Sequence, residues 1–436
     1  MIDPIFDLIA KESYRQRTTI PLIPSENIVS SDVMRAVGSP LMNKYSEGYP
    51  HKRYYEGNEI IDEIELLAID RAKKLFGVPY ANVQPYSGSP ANSAVQMAIL
   101  QPGDSILGMK LSSGGHLTHG HPAVTFSGTF YKTVQYGLDE RARIDLREVR
   151  ALALEHKPKL MIIGTTAYPF ELPFKEFSKI ADEVGAIVLA DISHIAGLVV
   201  AGAHLSPMPW ADVVMTTTHK TLRGPRGAMI LVTERGLQKD AELGAKIDKA
   251  VFPGLQGGPH NNTTAGIAVA LGEAATSDYK EYGKQIVKNA TALASALHKR
   301  GITLVGGGTE NHLMIMDFSS FGGGTQVAYA MAVAGLIANK NTIPHEPHSP
   351  FYPSGVRLGT PAVTTLGMKE KDMEQIAEWI ARCVEVAKSY PLPKEKTERA
   401  GFVRGCKEKL KSEKALGEMR GEAEKFMGLF ASKGGK

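Results

Sequence analysis

The stretch AIVLADISHIAG puts a carboxylate, Asp191, at the end of a short apolar run, with His194 three residues on. An acid at the mouth of a buried strand must find a partner or bear a heavy desolvation cost, which makes a bland role there unfavourable. A second apolar run, DVVM, leads into TTTHKTLRGPRGA and sets His219 and Lys220 just past another strand end, beside Thr216, Thr217, Thr218 and Thr221. A lysine delivered to the mouth of a sheet is the amine that carbonyl chemistry needs, because a Schiff base requires a positioned, partly desolvated nitrogen. A third segment, QPYSGSPANSAVQMAIL, reads as a strand end, a turn at Ser87, Gly88 and Ser89, and then a helix. Amides exposed at that helix start, two hydroxyls and a glycine that admits close backbone approach make a phosphate cradle.

Taken singly, each feature has a duller reading: a strand-end Asp caps or pairs, SGS is a common helix N-cap, and a lone lysine is surface. Together, a phosphate cradle, a strand-end acid and a strand-end lysine are what pyridoxal 5′-phosphate needs. A competing constellation is GGHLTHGH, with His116, His119 and His121, to which IPHEPHSP adds His345 and His348. Such spacing could bind zinc, but a glycine-rich loop gives the imidazoles no helix to fix their geometry, and the expectation is no metal. One of these rings can instead lie flat on a planar cofactor.

The elements that must position these residues alternate between strands and helices, the pattern of a layered α/β domain. Apolar runs at 105–109, 159–164, 186–190, 212–215 and 228–232 read as buried strands, and FKEFSKIADEVG supplies a helical crossover at 174–185. Short buried strands between helices predict a mostly parallel sheet with ligands at the carboxyl ends of the strands. NEIIDEIELLAIDRAKKLF predicts a helix over 58–76 with Ile60, Ile61, Ile64, Leu67, Ala68 and Leu75 near one face and Gly77 as its stop. After about Thr276 the style changes to a long polar helix, then LMIMDF, AYAMAVAGLIA and a Pro-rich segment, which reads as a smaller α+β domain. The glycine runs at 306–308 and 322–324 look like turns, and no Walker-type loop or dinucleotide fingerprint is present. The resulting division is 1–45, an arm; 46–276, the large α/β domain; 277–390, the small domain; and 391–436, a basic helical extension.

With 43% hydrophobic and 22% charged residues over 436 positions, the composition argues against a disordered, collagen-like or coiled-coil chain. No run approaches the ~20 apolar residues of a membrane span, and MIDPIFDLIAKESYRQR does not read as a targeting segment, so a cytoplasmic protein is expected. Only Cys383 and Cys406 occur, too few for a disulfide framework or a cysteine zinc site. The net charge of +4 is too mild to demand nucleic acid; residues 391–436, with twelve Lys/Arg and seven Asp/Glu, read as a solvated amphipathic helix.

The blocks LIPSENIVS, NKYSEGYPHKRYYEGNE, ANVQPYSGSPAN, SSGGHLTHG, LADISHIAGL, TTTHKTLRGPRG, VFPGLQGGP and SGVRLGTPAVTTLG resemble, in order, the signature blocks of the serine hydroxymethyltransferase family, over roughly Leu22 to Val386. The resemblance implies the aspartate aminotransferase type of pyridoxal phosphate fold (fold type I) and an intertwined homodimer with shared sites, alone or paired into a tetramer. It implies transfer of the serine side-chain carbon to tetrahydrofolate, giving glycine and 5,10-methylenetetrahydrofolate. By the same resemblance Lys220 carries the cofactor, Asp191 meets the pyridine nitrogen, His194 lies near the ring hydroxyl and His116 stacks on the ring. Ser87, Gly88, Ser89 and His219 match phosphate contacts, and Tyr45 and Gly258 match positions supplied by the partner chain. Arg357 matches the guanidinium that forks onto the amino acid carboxylate, helped by Ser25. Glu47 matches the proton-handling carboxylate, and Tyr54 and Tyr55 the paired tyrosines at the shared site. Leu111, Gly115 and Ser349, Pro350 and Phe351 fall where the family places the folate. Tyr86, Pro90, Thr166 and Leu255 depart from the commoner SGSQAN, PHSG, FSAY and PGGQGGP patterns. The alternatives are a threonine-type β-hydroxy amino acid aldolase, which keeps the cofactor without the pterin, and an RNA-binding protein using the basic tail.

Overall fold

The computed structural model describes residues 3–123 and 125–430, which form two compact units: Val29–Lys284, and Met1–Ile28 together with Gln285–Lys436. These divisions differ from the expected ones because Ile20–Pro21 pairs in parallel with Leu336–Ile337, which ties the first residues to the later part of the chain.

The Val29–Lys284 unit is built on a seven-stranded sheet of β1 (Tyr80–Asn82), β2 (Ser105–Met109), β3 (Lys132–Tyr136), β4 (Leu160–Gly164), β5 (Ile187–Asp191), β6 (Val213–Thr217) and β7 (Ala228–Val232). Their order is β1-β7-β6-β5-β4-β2-β3, and only β7 runs antiparallel to its neighbours. Every residue of β4, β6 and β7 is buried, as expected of strands covered on both faces. The sheet is mostly parallel, and β2 and β7 occupy the expected residues. β1 and β3 are additions at the two edges: one is three residues long, and the other, KTVQY, is polar and largely half-buried.

Two consequences bear on the chemistry. Asp191 is the last residue of β5 rather than a loop residue after it. β6 ends at Thr217, which pairs with Ala228 at the start of β7, so residues 218–227, Lys220 among them, form a loop held at both ends by adjacent strands. Within it the Thr218 amide donates to Gly227 O at 3.1 Å and the Gly224 amide to Thr218 O at 2.7 Å.

Helix α1 (Glu59–Phe76) ends at Gly77, whose φ of 65° needs the left-handed region that glycine enters freely. Its buried face differs from the expected one: Ile61, Asp62, Glu65, Ala68, Ala72 and Phe76 are buried, whereas Ile60 is 63% and Leu67 44% exposed. Two acids can face inward because Arg53, 4% exposed, donates to Asp62 at 2.8 Å and to Glu65 at 2.7 Å. The same guanidinium donates to Ser46 O at 3.0 Å and Gly48 O at 2.8 Å, pinning the hairpin of Gly48–Tyr49 and Lys52–Arg53 to α1.

The other unit holds a three-stranded antiparallel sheet of β8 (Leu313–Asp317), β9 (Asn339–Asn341) and β10 (Gly355–Gly359), with β10 central. The N-terminal helix Pro4–Thr18 packs on the helix Lys414–Gly428, where Tyr14 donates to Glu424 at 2.6 Å. The basic tail forms Arg399–Lys411 and Lys414–Gly428, and its apolar positions Cys406, Leu410, Leu416, Met419, Ala423 and Met427 belong to this unit's core. Burial pushes the Cys383 thiol up to about 12 and the Cys406 thiol up to about 11, so both are inert thiols of that core. Among the described residues no helix is long and apolar enough to cross a membrane.

Candidate active site

At the carboxyl ends of β5 and β6 lies a cavity of about 270 Å³. Its lining includes Ser87, Gly88, Ser89, His116, Asp191, His194, His219 and Lys220, so the residues singled out for a cofactor by their strand-end and helix-start positions share one wall system. Helix α2 (Gly88–Ile99) begins at this cavity with Ser87 in the N-cap position. The Ser87 side chain makes no cap bond, which leaves its hydroxyl to a ligand rather than to the helix. Pro90 sits in the first turn, where a missing N–H removes no helical hydrogen bond. A Cβ on Gly88 would stand 2.7 Å from the Thr217 methyl group, so only glycine lets α2 approach β6 this closely.

Asp191 is buried at the cavity floor. Its Oδ2 accepts from His119 Nε2 at 2.8 Å and from Asn92 Nδ2 at 3.0 Å, and its Oδ1 accepts from the Ser193 amide at 3.1 Å and hydroxyl at 2.6 Å. Burial by itself would raise its pKa, but His119, Ser193 and the nearby Lys220 charge outweigh it and hold the carboxyl well below the usual carboxylate range. The floor of the cavity is therefore a fixed anion. His116 and His219 are the opposite case. Burial, then the neighbouring His119, lowers His116 to about 4. Burial, then Lys220 and Arg226, lowers His219 to about 3. Both rings are neutral at physiological pH, and a neutral planar His116 suits stacking against a ring. Its Nδ1 lies 2.8 Å from Thr118 Oγ1, which fixes the ring plane.

Three histidines close in sequence thus take three separate tasks: His119 meets Asp191, His116 lines the cavity, and His121 Nδ1 lies 3.0 Å from Ala123 O on the exterior. Asn92, Ser193 and Arg226 were not singled out from sequence, and His119 was weighed only in the histidine cluster and Thr217 only as a hydroxyl beside Lys220. Asn92 was within reach of the pattern, since it lies one helical turn beyond Gly88 on the same face of α2. No periodicity marks His119, whose partner is 72 residues away.

The other candidates do not line this cavity. Tyr45, Glu47 and Tyr55 form a cluster of their own: Tyr45 donates to Glu47 Oε1 at 3.3 Å and its ring meets Tyr55 edge-on at 5.0 Å. The loop through Gly257 and Gly258 presses on that cluster, since a Cβ on Gly257 would lie 3.1 Å from Glu47 Oε1 and one on Gly258 3.2 Å from the Tyr45 ring. Tyr54 meets Phe252 edge-on at 5.7 Å and is 74% exposed. Thr166 lines the cavity and donates to Gly115 O at 3.0 Å, whereas Leu111 is 41% exposed.

Arg357 and Ser25 belong to the unit containing residues 285–436. Arg357 stands in the middle of β10, where its Nε donates to Asn339 Oδ1 at 3.1 Å, and burial lowers it to about 10, still a cation at neutral pH. Ser25 follows Pro24, which packs against Gly359 at the end of the same strand. Ser349, Pro350 and Phe351 form an exposed loop tied by Lys340 Nζ to Phe351 O at 3.0 Å.

A family model described as "Serine hydroxymethyltransferase" matches residues 2–380. The chain belongs to the serine hydroxymethyltransferase family. Curated relatives of that name include one from Desulfotalea psychrophila, 55% identical over 384 residues and covering 88% of each chain. Another, from Acidothermus cellulolyticus, is 55% identical over 381 residues and 87% of each chain. A third, from Sorangium cellulosum, is 56% identical over 382 residues, 87% of this chain and 88% of its own. Serine hydroxymethyltransferases are pyridoxal phosphate enzymes of fold type I, with tetrahydrofolate as co-substrate.

The cavity fits that cofactor on its own chemistry. Thr217 Oγ1 and His219 Nδ1 are buried polar atoms with no hydrogen-bond partner among the described residues, and both border the cavity beside the α2 start. A bound phosphate would meet the α2 amides and the Ser87 and Ser89 hydroxyls. The charge pattern agrees: an anion on the floor at Asp191 and cations at Lys220 and Arg226.

Proposed function

We propose that this chain moves the side-chain carbon of serine to tetrahydrofolate, reversibly, leaving glycine and 5,10-methylenetetrahydrofolate, with pyridoxal 5′-phosphate held by Ser87, Gly88, Ser89, His116, Asp191, His194, His219 and Lys220. The observation that carries this reading is the convergence of Lys220 and a buried Asp191, held in its ionised form by four donors, in one cavity and delivered by adjacent strands. When bound, the cofactor supplies an aldehyde carbon open to amines and a pyridine ring that accepts an electron pair. Lys220 presents the amine for that aldehyde. Asp191, fixed by four donors, holds a proton on a ring nitrogen placed against it. His116 covers a flat face, and His194 offers a buried imidazole in the cavity wall.

Arg357 binds the amino acid carboxylate as a two-pronged donor, with Ser25 assisting, and so fixes which substrate bond faces the ring. Glu47 moves the proton of the hydroxymethyl group, beside Tyr54 and Tyr55. Leu111, Gly115 and Ser349, Pro350 and Phe351 form the pterin contact. Tyr45, Glu47, Tyr55 and Gly258 act in the site of a second copy of the chain. Two features support this: they stand outside the Lys220 cavity, and Met42, Tyr54, Ile60 and Leu67 of the same unit are exposed apolar side chains. The arm of residues 1–45 shares in that homodimer contact, with Ile5, Phe6, Leu8 and Ile9 between 49% and 60% exposed. Pairing of dimers into a tetramer and a cytoplasmic location belong to the same proposal.

The threonine-type aldolase is disfavoured because the relatives at 55% identity are named serine hydroxymethyltransferase. Serine cleavage followed with and without tetrahydrofolate tests the reading. Turnover that depends on the pterin is expected; equal rates without it would assign the chain to the aldolase class.

A further inference from the structure

Tyr86 stands directly before the cradle residue Ser87 and is tied to the 256–260 loop in three ways. Its phenol donates to Gly258 O at 2.7 Å, its backbone amide donates to Gln256 Oε1 at 2.9 Å, and its ring stacks on His260 at 4.1 Å with planes 5° apart. Gln256 closes the circuit by donating through Nε2 to Gln84 O at 3.0 Å. On its other side the same loop lies close to Tyr45 and Glu47: a Cβ on Gly258 would stand 3.2 Å from the Tyr45 ring and one on Gly257 3.1 Å from Glu47 Oε1. The loop is therefore gripped between the strand end that feeds the phosphate cradle and the cluster that carries Glu47.

We infer that Tyr86 is a positioning residue that locks the 256–258 loop to its own chain's phosphate cradle, so that the placement of Gly258 and Glu47 and the filling of the cradle are mechanically one event. The inference rests on the proposed function, in which Gly258 and Glu47 serve the partner's site: each chain then transmits the state of its own cradle to the groups it lends. Coupling of this kind needs a contiguous, packed linkage, and the phenol, the stacked imidazole and the glutamine amide provide one. Removing the phenol oxygen leaves the stack in place and leaves Gly258 O without its donor, a loss worth roughly 3- to 10-fold in any equilibrium that needs the loop in place.

The test compares the unmodified protein with Tyr86→Phe and Gln256→Ala. Pyridoxal phosphate affinity is read from the visible absorbance on titrating cofactor-free protein, and serine KM is read on the loaded enzyme. Tyr86→Phe is expected to weaken cofactor binding about 3- to 10-fold and to raise serine KM by a similar factor. Gln256→Ala, which removes the other tie of the loop, to the Tyr86 amide and Gln84 O, is expected to move both in the same direction. Unchanged cofactor affinity in Tyr86→Phe overturns the inference, and so does weakened affinity with an unmoved KM, which would make Tyr86 a local part of the cradle. If the unmodified protein takes up no pyridoxal phosphate, the proposed function falls first and this inference with it.

Discussion

The Lys220 cavity and the Tyr45, Glu47 and Tyr55 cluster are built by the same unit yet differ in completeness. In the cavity Asp191 takes four donors, burial keeps His116 and His219 neutral, and Thr217 Oγ1 and His219 Nδ1 are left to meet a phosphate. In the cluster, Glu47 has a single long bond to Tyr45, and both tyrosines are about half exposed. Preorganised dipoles act best where water is excluded, so the first region can act as one chain folds it, while the second lacks a cover. One chain thus carries a finished half and a lent half of the chemistry.

The sharpest way to break this contrast is Lys220→Ala, which should lower the rate of serine conversion with tetrahydrofolate by about 10³-fold or more. A rate near that of the unmodified protein would remove the cavity from the mechanism. Next in size is Arg53→Met, which strips the guanidinium from Asp62 and Glu65 and should lower stability by roughly 3–5 kcal/mol in a denaturant melt. Because Arg53 also holds Ser46 O and Gly48 O, the loss should reach Glu47 before it reaches Asp191. Glu47→Gln should reduce turnover by about 10²-fold while leaving the cofactor titration of the free protein unchanged. A loss of cofactor binding in that variant would erase the distinction between the two regions.

The smallest expected effect concerns pH. His116 and His219 have folded-state values lowered to about 4 and about 3, so the unfolded chain takes up protons first as pH falls below about 6.5. Stability of the cofactor-free protein should decline from there toward pH 4. Asp191 acts lower: its depressed value contributes stability above the ordinary carboxylate pKa, lost as pH falls further. His219→Asn should flatten the upper part of the thermal-melt profile by about one proton's worth of slope. An unaltered slope would place the acid sensitivity elsewhere.

The sequence announced the interior of this fold better than its margins. β4 to β7 are continuous apolar runs because both faces are covered, which is what makes them visible. β1 and β3 lie at the edges, where a single buried face suffices and residues such as Lys132 and Gln135 are tolerated. Asp191 and Lys220 were legible because strand ends are legible. His119 was not, since its role comes from a loop folding back on a strand end distant in sequence. The face of α1 was misread because two acids point inward, a pattern that only their pairing with Arg53 makes affordable. Glu47 and the tyrosines were recognisable only by resemblance, as nothing in their spacing says that they work together.

The loop of residues 218–227 leaves along β6 and returns along β7, closed by the Thr217 to Ala228 pairing. Lys220 is thus stitched into the weave of the sheet rather than hung from its rim. Any breathing that withdraws the amine must part those two strands, so hydrogen exchange at the Thr218 amide, which donates to Gly227 O, should be as slow as in the deepest core. Adding or deleting one residue in this segment would shift the amine and break the pairing together.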